Sequence, residues 1–126
     1  MNFPETRLVE IARSDAGLTA LIDQRFHPAG GVRRAMFPMV TYQRVGTVPI
    51  YHMEGRSRLE FLRFQINTWG ESVLEVMTIA DALRAAFENA SPERMTLIDS
   101  RPVQFDKEAR KWGQSADYRM AFTGSD

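Results

Sequence analysis

Residues 59–89 read LEFLRFQINTWGESVLEVMTIADALRAAFEN, and the hydrophobic period changes once within them. From Leu59 to Trp69, the apolar residues Leu62, Phe64 and Ile66 alternate with Arg63, Gln65 and Asn67. A period of two predicts a strand with one buried face. Phe61 and Trp69 fall on the more polar face, so that face is not expected to be fully wet. Ser72 and Glu75 then form an S-x-x-E capping box, in which each side chain satisfies a free backbone N–H. Val73, Val76, Met77, Ala80, Leu83 and Phe87 follow as one apolar stripe at helical spacing, while Glu75, Asp81, Arg84 and Glu88 lie off it. The spacing predicts a helix over 72–89, ended by Ser91-Pro92, with its stripe laid on the strand just before it.

Residues 4–24 read as helix in two pieces. Pro4 suits a first helical turn, where its missing N–H costs nothing. Leu8, Ile11 and Ala12 give a first apolar face, Ser14 is placed to cap the second piece, and Leu18, Leu21 and Ile22 restore the face. Residues 27–38 are expected to form a loop, and Met39–Val45 (MVTYQRV) a strand. Gly46 and Pro49 open a connection expected to last until about Ser57. Downstream, strands are predicted over 94–101 and 115–123, separated by a charged loop, Gln104–Gly113.

The order is helix, strand, strand, helix, strand, strand. It predicts an α+β fold: a mostly antiparallel four-stranded sheet with two main helices packed on one face. Helix 72–89 is expected to meet Phe64 and Ile66 on one side and Tyr118 or Met120 on the other. The 126 residues amount to one domain, and no internal repeat or linker divides them.

Sixteen basic residues balance sixteen acidic ones, so no global field favours nucleic acid or anionic lipid. With no cysteine, disulfides, thiolate metal sites and a Cys nucleophile are excluded. Met1–Glu5 lacks the pattern of a signal peptide, and no apolar run approaches the ~20 residues that span a bilayer. A soluble protein made in the cytoplasm, without a membrane partner, is the expectation. His27 and His52 are the only histidines, each in an expected loop and without a ligand set at metal spacing beyond the adjacent Glu54. No H-E-x-x-H, G-x-S-x-G or phosphate-binding glycine loop occurs, so no catalytic, cofactor or metal site is predicted. Asp81 and Arg84 are expected to form a surface ion pair.

Several strings together resemble the tail terminator, or tail-completion, family of long-tailed bacteriophages and prophages. They are the Pro-led strand Pro38–Gly46, the strand Arg63–Gly70, the Ala-rich helix Ala80–Phe87 and the closing strand Asp117–Phe122, in this order and spacing. The resemblance implies a homo-oligomer, a hexameric ring on the head-proximal end of the tail tube. Such a ring ends tube growth and meets a neck or head-completion protein, and DNA passes through its lumen without specific binding. It also implies a virion protein with neither cofactor nor enzymatic activity. Two alternatives stand beside it: a head-completion or neck connector that binds the portal side, and a small enzyme or ligand-binding domain using His27 or His52.

Candidate contacts follow from apolar or basic residues in expected loops. Ile50, Tyr51, His52 and Met53 lie in the connection 47–58, where polar residues are the rule. They either extend the hairpin and fold on their own subunit, or reach a neighbour in the ring. Arg33-Arg34 reads as a solvated pair, with contact to DNA or to a neighbour's carboxylates as the other reading. In Lys107–Trp112 (KEARKW), Trp112 is expected to anchor a surface loop inward, with Lys107 at its start.

Overall fold

A computed structural model describes residues 3–30, 35–52 and 55–123, with only the backbone of 51–52 and 55–58. Its elements are α1 (Pro4–Ser14), α2 (Ala16–Ile22), β1 (Phe26–Pro28), β2 (Met39–His52), β3 (Gly55–Gly70), α3 (Val73–Glu88), β4 (Met95–Ser100), β5 (Gln104–Asp106) and β6 (Lys111–Thr123). The α+β class and the mostly antiparallel sheet stand. The strand count is corrected from four to six, in the order β1-β2-β3-β6-β4 with β5 on β6, and β1 runs parallel to β2. Both added strands, β1 and β5, have three residues each and lie in segments expected to be loops. Three residues are too few to establish an alternation.

The helices lie on one sheet face, and their buried side chains join a single core. Leu8, Ile11, Leu18 and Ile22 of the first two helices and Ile79, Leu83 and Phe87 of α3 meet Leu62, Phe64, Ile66, Tyr118 and Met120. Phe87 stands edge-on to Tyr118 at 5.0 Å and to Phe26 at 6.4 Å, linking α3 to β6 and β1. The first helical region does break in two, but Asp15, not Ser14, caps α2: its Oδ2 accepts from the Leu18 N–H at 2.9 Å. At α3, Ser72 Oγ accepts from the Glu75 N–H at 3.1 Å as the capping box requires. The reciprocal arm reaches one residue further back, where Glu75 Oε1 accepts from the Glu71 N–H at 2.8 Å.

The buried stripe of α3 is rotated from the one expected. Val76, Ile79, Leu83, Ala86 and Phe87 face inward, while Val73 and Met77 are exposed together with Leu74. VLEVMTIADALRAAF is apolar nearly all round the helix, so more than one stripe fits its period. The expected Asp81–Arg84 pair is also replaced. Arg84 Nε bonds Glu88 Oε2 at 3.1 Å, one turn on.

Tyr118 gives the core a pH signature. Burial pushes its phenol up to about 12, opposed by Arg84 and aided by Glu88. An unfolded tyrosine ionises near pH ~10. Between these values the native state holds a proton that the unfolded chain has lost, so stability falls as pH rises. Denaturant midpoints are expected to show no Tyr118-linked change below pH ~10 and to decline from there to about pH 12. Tyr118→Phe should remove most of that decline; Tyr42, which burial also pushes up, contributes in the same direction.

Candidate assembly interface

Within the expected connection, residues 46–52 and 55–57 are strand. β2 and β3 continue as one hairpin, paired from Met39↔Trp69 out to His52↔Gly55. Gly46 and Pro49 do not turn the chain, because register shifts lie beside them, between Arg44 and Gly46 and between Pro49 and Tyr51. Such bulges absorb one extra residue and increase the local twist. Pro49 is tolerated because β1 pairs only with residues 40–42, which leaves β2 an edge strand beyond Tyr42. The outermost β3–β6 pair is Leu59↔Thr123, so among the described residues 55–58 run on past β6 beside β2 alone. The hairpin is thus an arm on the end of the domain.

Ile50 is half-buried on this arm, and Tyr51 and His52 belong to β2, with side chains outside the described set. Met53, Arg33 and Arg34 lie outside the described residues. Lys107 is exposed in the turn joining β5 to β6, and Trp112 is half-buried in β6 against Phe105, at 5.3 Å. The charged loop 104–113 is therefore largely a short hairpin. His27 lies on β1 opposite Thr41. Among the described residues these positions are not gathered into one site: Ile50 on the arm and the Lys107 turn are separate features.

Sequence reading did not resolve the ordering of the sheet face turned away from the helices. Directly paired residues share a face, so it reads in rows across β2, β3 and β6. Val48, Phe61 and Ala121 form an apolar row near the arm. The next row carries Arg63 and Arg119, the latter with its guanidinium over the Phe61 ring at 5.0 Å. Gln65 and Asp117 follow, then Thr41, Asn67 and Ser115. At the far end Trp69 lies across Gly113, where an added Cβ would sit 2.9 Å from the ring carbons. Gly113→Ala is therefore expected to displace Trp69, cost about 1 kcal/mol and shift the tryptophan emission.

Asp117 organises the middle of this face. It is buried, and its Oδ2 accepts from Arg63 Nη2 at 2.6 Å and Nε at 3.0 Å. Its Oδ1 accepts from Arg101 Nη2 at 2.7 Å. Asp99 also accepts from Arg101, at 3.2 Å, and Ser115 donates to Asn67 Oδ1 at 2.7 Å. Among the described residues no three His, Cys, Asp or Glu side chains are grouped as metal ligands.

A projecting apolar arm and an exposed apolar helix turn, on a domain with one face free of helices, describe a protein that makes contacts through its surface. The family model of tail completion protein gp17 matches residues 6–120, and the chain belongs to that family. Its role is structural, in the completion of a phage tail. A chain solved in the virion of a native gene transfer agent (GTA) particle shares the fold. It matches with a TM-score of 0.72 at 16% identity, covering 93% of this chain and 92% of that one. No curated protein matches.

Proposed function

We propose that the chain is a ring-forming tail terminator that caps the tail tube at its head-proximal end, joins it to the neck and catalyses no reaction. The observation that carries this reading is the arm. Among the described residues the hairpin runs on past the last β3–β6 pair, and the exposed Val48 on it offers contact surface. An arm on one side meeting a different surface on the next copy is a heterologous contact, and such contacts close into rings when the rotation permits. A closed ring has no free subunit edge, so growth stops on it, while its two faces remain different and meet tube and neck. Balanced charge suits a lumen through which DNA passes without specific binding.

The test is to supply purified protein to particles lacking their terminator. Tails of fixed length should be restored. Restored heads without length control would instead place the protein on the portal side. Replacing residues 50–59 by the hairpin turn Asn-Gly should leave the core and the thermal midpoint little changed, and should abolish the restoration. Full restoration by that variant would remove the arm from the assembly contact.

A further inference from the structure

The first turns of α3 carry an apolar face that stays exposed among the described residues. Leu74 is 75% and Met77 55% exposed, with Val73 beside them, although Val76 and Ile79 on the same helix are fully buried. A shallow hollow of about 300 Å³ adjoins Leu74, walled by Leu21, Thr78 and Ile79. The groups around this face are acidic apart from Arg84, which lies beside Met77 and Asp81 and is paired with Glu88. Glu71 precedes the helix with its side chain 63% exposed even beside Lys111, Asp81 is exposed two turns on, and Asp23 is exposed just past α2.

The complementary surface is the apolar row Val48–Phe61–Ala121, with Val48 61% exposed. The next row brings a cation to its flank, Arg119 over the Phe61 ring, beside Arg63, which is held by Asp117. Within one subunit the two surfaces cannot meet. They lie on opposite faces of the sheet, and the strand from Phe61 to Gly70 separates them by roughly 30 Å. Pairing of free strand edges is a poorer contact, since the β2 edge carries two register shifts and Pro49, and β4 carries a shift between Leu97 and Asp99.

We propose that the Val48–Phe61–Ala121 row of one copy seats on the Val73–Leu74–Met77 face of the next, with Arg119 toward the acidic rim. This inference rests on the ring reading and names the surface that receives the arm's base. Because the contact joins two different surfaces, each copy keeps one of each free until the ring closes.

The chain has no cysteine, so single introduced thiols report contacts without background. Val48→Cys and Leu74→Cys are prepared separately, mixed under mild oxidation and compared with each alone, up to about 1 mM so that even contacts with Kd ~1 mM are populated. The mixture is expected to give a cross-linked dimer at least about ten-fold more abundant than either protein alone. Leu74→Asp with Met77→Asp, both at exposed positions, should keep the wild-type thermal midpoint and lose assembly. Dominant self-cross-linking of Leu74→Cys would overturn the proposal in favour of a two-fold helix contact. No mixed product, with wild-type protein still giving a multi-copy native mass, would overturn it and leave the ring reading intact. A monomeric wild-type mass throughout, with no product, would remove the ring reading and this contact together.

Discussion

Phe87→Ala is expected to remove about 3–5 kcal/mol of folding stability. Phe87 is fully buried and touches the aromatic rings of both β1 and β6, so no single neighbour can move in to refill the space. A domain of this size holds about 5–15 kcal/mol in all. The thermal midpoint should therefore fall by roughly 10 °C or more. Chemical denaturation with the slope unchanged is the check. A loss below about 1 kcal/mol would mean that α3 settles onto the sheet without this ring and that the packing described here is not what fixes it.

Asp117→Ala should have the second largest effect, about 1.5–3 kcal/mol. The aspartate side chain is only 9% exposed, whereas those of Arg63 and Arg101 are 47% and 38% exposed. After the substitution both guanidiniums can turn to water, which places the cost nearer the lower figure. Removing the whole triad with Arg63→Met, Asp117→Leu and Arg101→Met should cost less than Asp117→Ala alone, because both guanidiniums leave with the carboxylate and only Asp99, 60% exposed and open to water, loses a partner. If the triple variant were the less stable of the two, the triad would be contributing net stability and not merely satisfying itself.

The sequence made the central β3–α3 unit legible because it contains a clean change of period and a capping box. Leu62, Phe64 and Ile66 are buried as their alternation required, and Ser72 caps α3. The tail-completion family was legible from the order and spacing of short strings, none informative alone. The length of the hairpin was hidden by Gly46 and Pro49, residues that mark turns locally but lie here beside bulges on an edge strand. The rotated stripe of α3 was hidden by its nearly uniform apolarity, so the exposure of Val73 and Met77 depends on where the sheet ends. The Arg63–Asp117–Arg101 triad brings together residues 54 and 16 positions apart through strand register, which no local pattern encodes.

Electron microscopy of growing tail tubes after addition of the purified protein should show a single ring at one end of each tube and a tube length fixed from that moment. Continued elongation with no added density at either end, or density spread along the tube, would contradict the terminator reading.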